Sequence, residues 1–348
     1  MKCLVTGGAG FIGAHVVREL LAADHEVCVL DDLSGGFRDN VPQTARFVQG
    51  SIVDHELIND LFAENGFDYV YHLAAYAAEG LSHFIKRYNY NNNLIGSTNL
   101  INASINHDVK RFVFTSSIAV YGENQLPMRE DMIPQPEDSY GIAKLAVEQE
   151  LACSHKMFGL NYVIFRPHNV YGEYQNIGDR YRNVIGIFMN QIMKGEKLTI
   201  FGDGSQTRAF SYVGPIARII ARAPEVPTAA QGIFNVGADR AYSVNDLAEE
   251  VCNVMGVEPN IEYLPARNEV LHAYSDHSRV REVFGEPEDK ELRDGLAAMA
   301  DWALKHGART TKPFAGIEIP KNMPPSWASQ TLPTTKTQPK TGKLAAEQ

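Results

Sequence analysis

The stretch "TGGAGFIG", residues 6–13, decides the fold. Glycine stands at positions 7, 10 and 13, a G-x-x-G-x-x-G spacing. The apolar run "KCLVT" (2–6) before it reads as a short strand, and "FIGAHVVRELLAA" (11–23) after it as an amphipathic helix. A strand that passes into a helix over three glycines can cradle an anion. Gly7 permits the tight turn, Gly10 lets backbone approach a pyrophosphate, and Gly13 lets helix pack close to strand. The helix N-terminus then offers free N–H groups and its positive dipole end to the phosphates. The next strand, "EVCVL" (26–30), runs into Asp31 and Asp32. A carboxylate there accepts from adenosine ribose hydroxyls and repels a 2′-phosphate, which favours NAD. Arg38 nearby leaves NADP as the alternative.

Outward from this point the chain alternates. "RFVQG" (46–50), "DYVYHLA" (68–74), "RFVFTSS" (111–117) and "NYVIFRP" (161–167) read as strands, with helices over 55–64, 84–106 and 139–158 between them. That order predicts an α/β fold, a Rossmann-like doubly wound parallel sheet within residues 1–170. From 171 to 309 the pattern loosens into a smaller α/β lobe, with helices over 183–194, 244–256 and 290–306 and the strand "LTIFG" (198–202). Some of these later segments are expected to return to the main sheet. The tail, 310–348, is rich in Pro, Thr and Lys and is expected to be disordered or draped over the surface, with Trp327 of "PPSW" as an anchor.

The 348 residues are 44% hydrophobic and carry a net charge of −10, with a pI near 5.6. Such a surface argues against nucleic acid or an anionic membrane as partner, though not against an anionic ligand in a local pocket. Cys3, Cys28, Cys153 and Cys252 form no C-x-x-C, and no disulfide or metal framework is visible. Cys3 and Cys28 read as small buried hydrophobes. With no leader and no run of about 18 apolar residues, the expectation is a cytoplasmic protein.

"EDSYGIAK" (137–144) sets Tyr140 four residues before Lys144, on one face of a helix. Together with the glycine triplet, Asp31, "HLAA" (72–75), Asn92 ahead of Gly96, and "TSS-x-x-VYG" (115–122), it occurs in an order that resembles the extended short-chain dehydrogenase/reductase family. Within that family the chain resembles the UDP-glucose 4-epimerase branch over roughly residues 1–307. The resemblance implies an NAD-dependent enzyme that oxidises a UDP-hexose at C4, turns the keto sugar and returns the hydride. UDP-glucose/UDP-galactose is the favoured pair, with N-acetylglucosamine or glucuronate substrates and a silent NAD sensor as alternatives.

It further implies Ser117, Tyr140 and Lys144 as catalytic residues. A tyrosine with a pKa near 10 is a poor base at neutral pH, so the positive charges of Lys144 and of the nicotinamide are expected to lower it. Around NAD it places Gly7, Gly10, Phe11, Ile12, Gly13, Asp31, Asp32, Ser51, Ile52, Leu73, Ala74, Ala75 and Asn92, with Tyr140 and Lys144. Around the UDP-sugar it places Ser116, Ser117, Tyr140, Asn169, Asn183, Val184, Phe201, Arg208, Arg267 and Glu269. For catalysis, Ser116 reads as a backbone-bonded serine at a strand end, and His168 as a packing residue. Helices 84–106 and 139–158 correspond to the family's dimer surface, which implies a homodimer.

The chain departs from the family in places. Ser117-Ile118-Ala119 stands where a 4,6-dehydratase has Thr-Asp-Glu, which removes the acid–base pair for eliminating water. Asn169 and Asn176 stand where glucuronate epimerases have Thr and Arg, which favours a neutral hexose, although Arg180 or Arg182 could serve an acidic one. Ser51, Ala209 and Val213-Gly214-Pro215 replace an aspartate, another aspartate and Val-Asp-Asp respectively. Tyr76 and Glu79 in "AAYAAEG" have no assigned role.

Overall fold

The computed structural model describes residues 1–123, 126–266, 271–286, 290–311, 314–324 and 327. Strands β1 (Lys2–Thr6), β2 (Glu26–Asp31), β3 (Arg46–Gln49), β4 (Tyr69–His72), β5 (Arg111–Thr115) and β6 (Tyr162–Pro167) join a seventh, Gly232–Val236, in one sheet. Its order is β3-β2-β1-β4-β5-β6 and then the seventh strand, and every pairing is parallel. The expected doubly wound sheet is present, and a segment from beyond residue 170 returns to complete it.

The two-residue side-chain period of a strand explains the layers. In β1, Cys3 and Val5 enter one core and Leu4 the other; in β6, Val163 and Phe165 oppose Tyr162 and Ile164. Helix α1 (Phe11–Ala22) and the helix Val213–Arg222 cover the first face. Helix α2 (His55–Asn65) and the helices Gly96–Asn106 and Ser139–Phe158 cover the second. Both faces being covered, the strands are apolar on both sides. Cys3 and Cys28 are buried, as expected of small hydrophobes.

Because all strands run parallel, Gly7, Asp31, Leu73 and Ser116 emerge along one edge, where such sheets bind ligands. The helix expected over 84–106 is interrupted: Lys86–Tyr90 and Gly96–Asn106 flank a π-helical turn, Asn91–Ile95. The cause lies at Asn93, whose buried amide leaves the helix to bind both the N–H and the C=O of Tyr76. The second lobe has its own core, with Ile185, Phe188, Leu247, Val251, Leu296 and Met299 at its centre. Its helices Val184–Met193, Val244–Met255 and Leu292–His306 pack beside the parallel strand pair Leu198–Phe201 and Ile261–Leu264. No helix among the described residues is long and apolar enough to cross a membrane.

Candidate active site

The glycine loop is shaped for close backbone approach. Gly7 has φ +72°, and a Cβ on it would lie 2.7 Å from the Ala74 nitrogen. A Cβ on Gly13 would lie 2.1 Å from the Gly7 oxygen, so helix and turn touch only because Gly13 lacks one. Gly10 caps α1 without a side-chain hydrogen bond, and the first turn holds no acidic residue. Its free N–H groups, with the half-buried Phe11 and Ile12 beside them, suit a diphosphate. The residues present thus fit NAD.

Asp31 holds that loop in place. One oxygen accepts from Ala9 N at 3.0 Å and the other from Leu33 N at 2.8 Å. Burial raises its carboxyl pKa, and the two N–H donors oppose the rise. Asp32 is exposed and accepts from Ser34 N at 2.9 Å. Ser51 accepts from Val53 N at 3.3 Å, and Ile52 beside it is buried. Asn99, which the sequence did not single out, donates to the carbonyls of Ile52 (3.0 Å) and Val53 (3.2 Å) and fixes this loop. Leu73, Ala74 and Ala75 lie half-buried after β4. Asn92 donates to Tyr88 O at 3.0 Å; the asparagine that holds the loop after Ala75 is its neighbour Asn93.

The helix Ser139–Phe158 starts where Asp138 caps it, accepting from Gly141 N at 2.8 Å. Its first turns carry Tyr140 and Lys144, 6% and 2% exposed. Ser117 lies beside the Tyr140 phenol and opposes the rise in its pKa, and the Ser117 hydroxyl accepts from Ala119 N at 3.1 Å. The three expected catalytic residues therefore meet. Lys144 donates to Thr115 O at 2.8 Å, and burial lowers its pKa to about 7.

Two findings bear on the expected roles. For Tyr140, burial raises the pKa and the Glu79 carboxylate raises it further, while Ser117 and the Arg182 charge pull the other way. Ser116 does not face a substrate. It is 2% exposed and its hydroxyl donates to Glu148, which is paired with Arg166 behind the catalytic helix.

In the second lobe Asn169 and Asn183 both adopt positive φ, +40° and +58°. Non-glycine residues held there are strained and cluster at functional sites. The Asn169 amide nitrogen is buried without a hydrogen-bond partner. Asn183 donates to Val170 O at 2.5 Å, ahead of the half-buried Val184. Phe201 is half-buried at a strand end, and Arg208 donates to the carbonyls of Thr207 and Leu271, each at 2.8 Å. Arg267 and Glu269 lie outside the described residues. His168 does pack: it is buried against His277, with ring nitrogens 3.0 Å apart, and burial drives its pKa down to about 3.

Arg182 turns toward the cofactor loops. It donates to Asp179 at 2.8 Å, its guanidinium lies 5.2 Å from the centre of the Tyr76 ring, and a Cβ on Gly35 would meet it at 3.3 Å.

Known proteins are similar to this chain in sequence and fold. A putative UDP-glucose 4-epimerase of Methanocaldococcus jannaschii is 34% identical over 310 residues, 88% of this chain and 99% of its own. The solved UDP-glucose 4-epimerase of Thermotoga maritima with UDP-glucose superposes with a TM-score of 0.84 at 35% identity, covering 88% of this chain and 99% of that one. A UDP-N-acetylglucosamine 4-epimerase of Methanobrevibacter ruminantium, solved with UDP-N-acetylmuramic acid, gives 0.82 at 31%, covering 88% and 98%. The pattern of the NAD dependent epimerase/dehydratase family matches residues 3–237, from the glycine loop through the catalytic helix to the seventh strand, and the chain belongs to that family.

Proposed function

We propose that this chain is an NAD-dependent 4-epimerase of a UDP-hexose, with UDP-glucose/UDP-galactose as its pair. The observation that carries the reading is the burial of Tyr140 beside Ser117, with the buried Lys144 one helical turn further on. NAD, held on the glycine loop, would supply the hydride acceptor and donor for C4. Tyr140 takes the proton from the C4 hydroxyl and gives it back. Ser117 hydrogen-bonds the same oxygen. A charged Lys144 stabilises the phenolate, because in this buried place an unpaired anion is costly. Asn169, Asn183 and Arg208 bind the UDP portion, where a cation and amide donors suit a diphosphate.

A neutral hexose is favoured because Glu79 bears on Tyr140 with a negative charge and Arg182 is already paired with Asp179. The exposed Ile95 (49%) and Ile142 (43%) lie on the helical segments expected to form the dimer face, which supports a homodimer. Incubation with UDP-glucose, UDP-N-acetylglucosamine or UDP-glucuronate, without added NAD, tests the reaction. Equilibration of the glucose and galactose forms is expected, with Tyr140→Phe reducing turnover by about 10² or more while NAD stays bound. Absence of conversion of every sugar, even with NAD added, overturns the reading.

A further inference from the structure

Residues 309–311 and 314–324, with Trp327, span the cleft between the two lobes. On the second lobe, Arg309 N donates to the Asn190 amide oxygen at 2.8 Å, the Asn190 nitrogen donates back to Arg309 O at 3.0 Å, and Thr311 reaches Asn176 at 3.2 Å. On the first domain, Phe314 packs on Tyr88 and Tyr76, ring centres 4.8 and 5.3 Å away. Glu318 accepts from the N–H groups of Arg87 and Tyr88, both at 2.8 Å, and caps that short helix. Trp327, 6% exposed, closes a cluster with Ala78, Leu81 and Ile85.

The span lies over the cofactor loops. A cavity of about 240 Å3 has Thr311, Phe314 and Ala315 as one wall. Its other walls include Ser34, which follows Asp31 and Asp32, and Tyr76, which follows Ala74 and Ala75. The segment it clamps also touches the catalytic helix: Ser82 accepts from Tyr140 N at 3.2 Å.

We propose that 309–327 is a strap that buckles the two lobes over bound NAD, with Phe314, Glu318 and Trp327 as positioning residues that slow cofactor release. It rests on NAD being the resident cofactor. The clamp works by packing: Trp327 and Phe314 bury aromatic area against the loop that must move for the dinucleotide to leave, and Glu318 ties the same loop by two charge-assisted hydrogen bonds.

The test follows NAD loss from the purified holoenzyme after dilution into an excess of an NAD-degrading glycohydrolase, with melting temperature recorded alongside. Trp327→Ala and Phe314→Ala are expected to release NAD at least about tenfold faster, with Trp327→Phe restoring most of the retention and kcat at saturating NAD close to wild type. Glu318→Gln keeps the size of the side chain and is expected to speed release by a smaller factor; it carries the test if the aromatic variants fail to fold. Release within twofold of wild type in the folded variants overturns the proposal. Wild-type protein that binds no NAD at all would instead sink the cofactor reading, and wild-type protein that binds NAD but converts no sugar would sink the epimerase reading while leaving the strap standing.

Discussion

The Lys144 ammonium donates to the Thr115 carbonyl at 2.8 Å and lies 5.7 Å from the centre of the Tyr140 ring. It also sits 4.7 Å from the centre of the Phe114 ring. Its surroundings are thus mainly apolar and aromatic, with one backbone acceptor. A charge so placed costs the fold stability, and under the proposed mechanism it serves the reaction.

That placement predicts a pH signature. Burial lowers the Lys144 pKa from 10.5 to about 7. The unfolded chain, with an ordinary lysine, keeps its proton to a higher pH than the native state does. Between about pH 7 and 10 the unfolded state therefore binds more protons, and this group's contribution to stability rises with pH across that window. Lys144→Met removes the contribution. The variant is expected to gain stability over wild type at about pH 6 and to lose that advantage by about pH 10, with turnover reduced throughout. Urea midpoints at both ends of the range measure it. A difference that stays constant with pH would show that Lys144 does not lose its charge on burial.

Asp31 and Asp32 are expected to separate. Asp31→Ala leaves the N–H groups of Ala9 and Leu33 without their acceptor, so folding stability should fall by about 1–3 kcal/mol together with NAD affinity. Asp32 is exposed and accepts from Ser34 N, so Asp32→Ala should change stability by no more than about 0.5 kcal/mol. Thermal melts with and without NAD distinguish the two. Equal destabilisation by both would show that Asp31 does not organise the glycine loop.

The features legible in the sequence were those that local spacing determines. Three glycines between a strand and a helix, an acid at the end of β2, and Tyr140 four residues before Lys144 each report a turn, a strand end or a helix face. What stayed illegible depends on partners distant in the chain. Ser116 and Ser117 are neighbours, yet strand alternation sends one to Glu148, 32 residues on, and the other to Tyr140. Asn92 and Asn93 look alike in sequence, but only the second turns inward to Tyr76. The burial of Tyr140, which raises its pKa against the neighbouring charges, is likewise something a spacing pattern does not reveal. The Pro-rich tail read as a surface segment by composition; its described part packs because a few aromatics, Phe314 and Trp327 above all, find a cluster waiting on the first domain.

The partner of Ser116 leads to the last prediction. Glu148 follows Lys144 by one helical turn and meets Arg166 of β6, with side chains 3% and 2% exposed. Arg166 donates to Glu148 at 2.9 Å through Nε and to the Tyr121 hydroxyl at 2.7 Å through Nη1. Tyr121 in turn donates to Asn235 on the seventh strand at 2.8 Å. The network therefore ties the catalytic helix to two strands. Two ions taken out of water gain little net stability as a pair, but removal of one strands the other. Glu148→Gln leaves the guanidinium buried without a counter-charge and should cost about 3–5 kcal/mol in urea unfolding, whereas Glu148→Leu combined with Arg166→Met should cost less than Glu148→Gln alone. The Glu148 charge also raises the Lys144 pKa against burial, so Glu148→Gln should shift the onset of the Lys144 stability window to lower pH. A Glu148→Gln protein as stable as wild type, with the onset unmoved, would mean that Arg166 finds other compensation and that the pair does not support the catalytic lysine.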